Sequence, residues 1–237
     1  MNEKTIEFLG LFNDLERWFK DLLNEYGDSP RSFKSMVGIA AKKNAFIRDR
    51  AETLYDLSDL RNFLVHEFGN KVYAYPTDEA VDVLRGILGT LTGGKKLVNI
   101  CGSKPVVIDA SASLGRGLKL INKYDYAQLP VYDGMYFKGL LSANIITRWF
   151  AANTDEKGRI NRDIDAVRIS DVMQFSEAKD EAALLPRDLT VIEFYNILKD
   201  RPSRSGVYLV TPNGRHDERP LLIVTNHDIP GIMGEME

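Results

Sequence analysis

The sequence predicts an α+β protein of two domains, an N-terminal helical bundle followed by two strand–helix–strand–strand–helix repeats. Three observations support this prediction. In the first ninety or so of the 237 residues, apolar side chains recur at steps of three and four, which is the spacing of an amphipathic helix. Beyond that region, one order of apolar strands and capped helices occurs twice. Between the two regions lies a Gly- and Lys-rich stretch, 92–96, typical of a flexible link.

Four helices are predicted in the N-terminal region. The first carries a broad apolar stripe from Ile6 to Leu23 and ends near Gly27. The other helices are predicted from capping residues and stop signals. The second helix is predicted to start at Ser29 and Pro30. The third runs from about Ala51 and stops at Gly69 and Asn70, and the fourth starts at Thr77.

The predicted second helix is basic, and its only acidic residue is Asp49. Its basic residues are Arg31, Lys34, Lys42, Lys43, Arg48 and Arg50. One interpretation is a solvated helix face. The other is a phosphate-facing surface that binds nucleic acid, and such binding would weaken strongly with salt.

In the second region, each repeat places a capped helix before two strands. Ser113 and Thr190 are the predicted N-caps of these helices. In the first repeat, the strand 129–132, a turn at Asp133 and Gly134 and a second strand lead into a helix at Ser142. Self-similarity of this kind indicates two supersecondary modules that share a core.

The ends of the two repeats resemble the CBS domain, the cystathionine-beta-synthase module, which occurs as tandem pairs. The segments that carry the resemblance are 139–142 and 224–228. The family pattern is Gly, two apolar residues, Ser or Thr, two further residues and Asp. The second copy matches with Thr225 and Asp228, whereas the first has Ile145 where the Asp should stand.

The resemblance implies that the pair binds an adenosine-type nucleotide as a regulatory ligand: AMP, ADP, ATP, S-adenosylmethionine or a cyclic dinucleotide. The Asp would hold ribose hydroxyls and the Ser or Thr would face phosphate. The ligand-binding candidates are Ser142, Asn144, Thr225, His227 and Asp228.

A second resemblance lies in the third predicted helix, Leu60 to Glu67. Arg61, Asn62 and His66 resemble the Arg-four-residue-His motif of HEPN domains, helical bundles of which many are metal-independent ribonucleases. The expected domains are therefore a HEPN-like bundle, 1–95, and a tandem CBS pair, 96–237, with copies at about 98–151 and 168–237.

These residue types suit RNA cleavage. His66 could take the proton of a 2′-hydroxyl, and Arg61 could stabilise charge on the phosphate. Asn62 and His66 share a helix face because they are four residues apart. Arg61 and His66 lie roughly 140° apart around a regular helix, so a partner helix would complete the site. The family usually supplies that helix by dimerisation, so we expect a homodimer.

Alternatives remain open for the helical domain. Arg61 could pair with Asp56 or Asp59, and His66 could cap carbonyls at the helix end. In that case the protein is a non-catalytic nucleotide sensor whose helical domain dimerises or docks a partner protein. If it is catalytic, RNA is a further partner.

Composition narrows the functional classes. A formal net charge of −3 argues against a protein built mainly to coat nucleic acid. No apolar run is long enough for a membrane span or signal core. The single cysteine, Cys101, fits a reducing compartment. We therefore expect a cytoplasmic protein that needs no membrane and no metal.

Overall fold

The computed structural model describes residues 2–27, 32–65, 74–100, 103–160 and 162–236. The protein is α+β, with a helical region and two three-stranded sheets in these residues, as the sequence predicts. The chain divides into two compact units. The helical unit comprises Met1–Lys95, Thr190–Arg201 and Met233–Glu237, and the repeat unit comprises Lys96–Leu189 and Pro202–Ile232.

The helical unit contains six complete helices in the described residues. They are α1 (Glu3–Glu25), α2 (Phe33–Ala41), α3 (Ala45–Asp49), α4 (Ala51–Val65), α5 (Asp78–Thr92) and, from later in the chain, α9 (Val191–Asp200). The predicted helix from about Ala51 and the N-cap at Thr77 are confirmed. Residues 28–31, including the predicted start at Ser29 and Pro30, lie outside the described residues, as does the predicted stop at Gly69 and Asn70.

An aromatic stripe on α1 forms the core of the helical unit. Phe8, Phe12 and Phe19 are at most 1% exposed. The ring of Phe33 on α2 lies 4.7 Å from that of Phe12 and 5.3 Å from that of Phe19. The stripe therefore fixes α2 against α1, since burying each aromatic side chain contributes about 1.5–3 kcal/mol.

The basic segment forms two helices, so the prediction of one basic helix was wrong. The chain turns at 42–44, and Asn44 caps α3 through its side chain. In the described residues, four of its basic side chains have partners. These contacts are Lys34 with Asp59 at 2.7 Å, Arg48 with Asp200 at 2.8 Å, Lys43 over the Tyr26 ring at 4.0 Å and Arg50 over the Phe46 ring at 3.9 Å. The partners favour a structural role for this face.

Helix α9 packs within the helical unit. The side-chain oxygen of Asn196 accepts hydrogen bonds from the backbone N–H of Ala45 at 2.8 Å and of Phe46 at 3.3 Å, at the start of α3. Tyr195 donates to Asp49 at 2.6 Å. The sequence assigned this segment to the second repeat; the predicted border at 95 and 96 stays a prediction.

The repeat unit carries the strands of both repeats. The first repeat has β1 (Ile108–Asp109), α6 (Leu114–Tyr124), β2 (Gln128–Asp133), β3 (Tyr136–Ser142) and α7 (Ala143–Ala152), and a short helix, α8 (Ile169–Val172), follows. The second repeat has the strands β4 (Ala183–Pro186), β5 (Val207–Thr211) and β6 (Leu222–Thr225), with α9 after β4 and α10 (Ile229–Gly234) after β6.

The two sheets have the same topology. In each, the first strand is parallel to the second, and the second is antiparallel to the third. In the second sheet, Val207 pairs with Thr225. Ser103, which precedes the first repeat, bridges to Ile223 of β6, and the Ile223 N–H donates to its carbonyl at 3.3 Å. The chain before the first repeat therefore borders the second sheet.

The predicted helix starts are confirmed. Ser113, Ser142 and Thr190 each cap a helix by accepting a backbone N–H at 3.2 Å. Thr190 and Glu193 form a full capping box. Of the helices in the described ranges, none has the length and apolar character to cross a bilayer.

Candidate functional site

The candidate ligand site is a cavity of about 510 Å³ in the repeat unit. Four chain segments form its wall: the approach to the first repeat, the start of β2, the start of β5 and the turn between β6 and α10. The lining residues are Ser103, Pro105, Val106, Asp125, Tyr126, Ala127, Gln128, Pro130, Ser205, Gly206, Ile223, Thr225, Asn226, His227 and Asp228. Its volume falls in the range of small-molecule sites, about 300–1,000 Å³.

Thr225 and Asp228 are joined by hydrogen bonds in this wall. Thr225 ends β6, and both its N–H and its hydroxyl donate to Oδ2 of Asp228, at 2.7 and 2.9 Å. The Asp228 N–H in turn donates to the Thr225 carbonyl at 3.0 Å. These bonds fix the carboxylate in place. They use only one of its two oxygens, and a carboxylate can accept about four hydrogen bonds.

Gly206 faces Asn226 across the β5–β6 pair. It has a φ of +68°, and a Cβ there would lie 2.3 Å from Nδ2 of Asn226. A side chain at this position would therefore displace Asn226 from the cavity wall, and only glycine adopts this backbone conformation readily. Ser205, the preceding residue, donates to the Glu181 carbonyl at 2.8 Å.

The opposite wall comes from the first repeat. Asp125 ends α6 in the left-handed conformation, with a φ of 54°, which turns the chain toward β2. Tyr126 then stacks on Tyr124, with ring centroids 5.4 Å apart. An aromatic ring in the wall of a cavity is a platform on which a nucleobase can stack.

Of the predicted ligand residues, Thr225, His227 and Asp228 line this cavity. His227 is exposed at the rim, between Asn226 and Asp228. Ser142 and Asn144 do not line this cavity. Ser142 is 7% exposed and donates to Asp180 at 2.8 Å, and Asn144 is exposed on the first turn of α7.

Sequence reasoning missed part of the wall. The missed residues are Ser103, Asp125, Tyr126, Gln128, Ser205, Gly206 and Asn226. Gly206 had a local signal, because an isolated glycine before an apolar strand marks a special backbone position. Asn226 lies inside the motif segment 224–228, between two predicted residues. The others enter the site only through the pairing of distant segments.

The helical unit contains a second cavity, of about 340 Å³. Arg61, Asn62 and Lys34 contribute polar groups to it. Arg61 Nη1 donates to the side-chain oxygen of Asn62 at 3.3 Å. The buried Nε of Arg61 has no hydrogen-bond partner in the residues that the structure describes. His66 lies outside the described residues.

Comparison with known proteins gave matches among solved structures alone. No family model matches the chain, and no curated protein matches it. Solved structures of CBS-domain proteins align with about 57–68% of the chain.

Three of these structures illustrate the likeness. The CBPB protein of Listeria monocytogenes in complex with c-di-AMP has 19% identity and a TM-score of 0.41, covering 58% of this chain and 93% of that one. The CBS domain of a bacterial CNNM/CorC-family Mg²⁺ transporter in complex with ATP has 17% identity and a TM-score of 0.44, covering 67% and 99%. Staphylococcus aureus OpuCA has 17% identity and a TM-score of 0.41, covering 57% and 97%. At these identities and TM-scores, the likeness supports no argument about function. The functional argument below therefore uses this chain's own geometry.

Proposed function

We propose that this protein is a regulatory sensor that binds an adenosine-type nucleotide in the 510 Å³ cavity. One observation carries the proposal. The three motif residues of the second repeat, Thr225, His227 and Asp228, line a single cavity with Tyr126 of the first repeat. Hydroxyl-binding, phosphate-facing and base-stacking groups are thus present in one site.

Each group has a defined task in this proposal. Oδ1 of Asp228 accepts hydrogen bonds from the ribose hydroxyls, because a carboxylate fixed by two donors loses little freedom on binding. The Thr225 hydroxyl and Asn226 face the phosphate or other 5′ group. Tyr126 stacks on the adenine ring.

The test is binding to purified protein of AMP, ADP, ATP, S-adenosylmethionine and cyclic di-AMP, by calorimetry and thermal shift. A ligand at about a hundred times its Kd should add roughly 2.7 kcal/mol of stability. We expect Asp228→Ala to abolish binding, and Asp228→Asn, which keeps an acceptor for the Thr225 N–H, to weaken it by about tenfold or more. Glu181→Ala, which removes an exposed carboxylate outside the cavity, is the matched control. Absence of binding across all five ligands would refute the proposal.

The chain path connects this cavity to the helical unit. One segment of the helical unit ends at Arg201 and another begins at Met233. Ser205 and Asp228 of the cavity wall follow the first point and precede the second by only a few residues. A ligand that orders these residues therefore binds close in sequence to Arg201 and Met233, where the chain passes between the helical unit and the repeat unit. If nucleotide binding changes the affinity of the helical unit for its own ligand, that ligand must change nucleotide affinity by the same factor.

For the helical unit, we propose metal-independent RNA cleavage by a homodimer as the leading candidate activity. The observation that favours it is that Arg61, whose buried Nε has no hydrogen-bond partner in the described residues, contacts Asn62 in this cavity. His66 would be the general base or acid, Arg61 would stabilise charge on the phosphate, and Asn62 would position it. The alternative is a non-catalytic bundle that dimerises or docks a partner protein.

A further inference from the structure

Asp180 is a buried acidic residue, three positions before β4, that the proposed mechanism does not use. It ends a short 3-10 turn, Ala178–Asp180, and is 2% exposed. Charged groups are almost never buried to this extent unless they are paired. Its partners therefore indicate why it is there.

Three donors surround the Asp180 carboxylate. Oδ1 accepts the Ser142 hydroxyl at 2.8 Å, and Oδ2 accepts the backbone N–H of Glu177 at 2.9 Å. The Arg148 guanidinium, from α7, pairs with the same carboxylate and also donates through Nε to the Phe175 carbonyl at 2.8 Å. Burial raises the pKa of Asp180, but the Glu177, Ser142 and Arg148 hydrogen bonds outweigh it and lower the pKa. The carboxylate is therefore held in its charged form.

Ser142 of the first repeat is the equivalent of Thr225 of the second. Each is the last residue of the third strand in its sheet, directly before the helix or turn that follows. In the second repeat, the Thr225 hydroxyl donates to Asp228, three residues on. In the first repeat, that position is Ile145, and the Ser142 hydroxyl donates instead to Asp180, 38 residues on. Asp180 thus supplies a carboxylate that the local motif lacks.

From this geometry we infer that the first half-site, formed by Ser142 and Arg148 of the first repeat, is an anion site permanently filled by the chain's own Asp180, so that each chain binds one nucleotide. A hydroxyl at a helix N-cap and a guanidinium are the groups that would hold a ligand phosphate. Here the buried Asp180 carboxylate binds both the Ser142 hydroxyl and the Arg148 guanidinium. The count of one nucleotide rests on the proposed function of the second-repeat cavity, whereas the filling of the first half-site does not.

The first experiment measures stoichiometry, by calorimetry and native mass spectrometry of the full chain with ATP and with S-adenosylmethionine. We expect one ligand per chain, lost entirely in Asp228→Ala. Two ligands per chain, with one retained in Asp228→Ala, would overturn the inference while leaving nucleotide binding intact. No binding by either ligand would count against the proposed function, and the second experiment then decides the role of Asp180.

The second experiment is chemical rescue of Asp180→Ala by acetate. Removing one partner of a buried ion pair should lower Tm by roughly 5–15 °C, and acetate should restore part of the loss by binding Arg148 and Ser142. The measured quantity is the recovery of folded protein when acetate is added. The experiment is therefore informative even if Asp180→Ala is unfolded without acetate. The controls are chloride at equal ionic strength, the parent chain, Glu181→Ala, and Asp180→Ala combined with Arg148→Met. Rescue by chloride, or undiminished rescue without Arg148, would contradict the anion site.

Discussion

At the scale of single residues, Tyr132 is a buried polar side chain whose hydroxyl lacks a hydrogen-bond partner in the described residues. The side chain is fully buried in β2. Burial raises the pKa of Tyr132 to about 12, although the nearby Arg219 charge lowers it. An unpaired buried hydroxyl carries a desolvation cost of about 1–3 kcal/mol.

We therefore expect Tyr132→Phe to leave the free energy of unfolding unchanged or to raise it by up to about 1 kcal/mol. Tyr208 is the matched control: it is 1% exposed, and its hydroxyl accepts the Ser203 N–H at 2.9 Å. Tyr208→Phe should lose about 1 kcal/mol. Urea unfolding of both variants measures the difference, and a loss in Tyr132→Phe equal to that in Tyr208→Phe would show that Tyr132 has a partner.

How far individual residues could be predicted depended on the distance of their partners along the chain. Ser142 was predicted as a helix cap because the N–H that it accepts is three residues away. Its second partner, Asp180, is 38 residues away, and no local pattern indicates such a pair. Tyr126 was likewise missed, because it meets Thr225 and Asp228 only in the wall of the folded cavity.

At the scale of elements, the loop between β5 and β6 is organised around one carboxylate. Glu218 accepts hydrogen bonds from the Thr211 hydroxyl at 2.8 Å and from the N–H groups of Asn213 and Arg215 at 2.7 and 3.3 Å. Desolvation raises the pKa of Glu218, but the hydrogen bonds outweigh it and bring the pKa to about 2, from an ordinary value of 4.5. The loop thus depends on a charged Glu218.

This predicts an acid-dependent contribution to stability. Because the pKa is lower in the folded state, the contribution is present above pH 4.5 and is lost as pH falls toward about 2. We expect the parent chain to lose more stability over that interval than Glu218→Gln, which cannot titrate. The measurement is urea unfolding at a series of pH values. Parallel stability curves for the two proteins would contradict the predicted pKa shift.

Elements were predicted better than their packing partners. The helix from Thr190 and the two strands that follow it were predicted from capping residues and apolar runs, and the structure contains them. That α9 packs against α3 in the helical unit depends on Asn196 meeting the N–H groups of Ala45 and Phe46. Those residues are about 150 positions apart, so the apolar periodicity within either segment does not predict the contact.

At the scale of the whole molecule, the sequence predicted an α+β chain with a helical region and a repeated region, and the structure has both. Repetition made this possible, because two copies of one pattern reinforce each other where either alone is a weak signal. The helical region has no such internal check. Its assignment to a HEPN-like domain rests on Arg61, Asn62 and His66, and it stays a prediction.

RNA cleavage by the intact protein in excess EDTA tests that prediction directly. If His66 is the general acid or base, His66→Ala should slow cleavage of labelled single-stranded RNA by about a hundred- to ten-thousand-fold. His216→Ala is the matched control, since His216 is an exposed histidine of the repeat unit. Equal cleavage by all three proteins would indicate a contaminating nuclease, and no cleavage by the parent chain would favour the non-catalytic sensor.

The same assay tests whether the two units act together. If the cavity regulates the bundle, ATP or S-adenosylmethionine should change the cleavage rate of the parent chain, and Asp228→Ala should remove that change. A typical coupling free energy of about 1–3 kcal/mol corresponds to a rate or affinity change of about 5- to 150-fold. RNA should in turn change nucleotide affinity in the parent chain, because coupling of binding free energies is reciprocal. Nucleotide binding that alters neither cleavage nor RNA affinity would mean that the two units function independently.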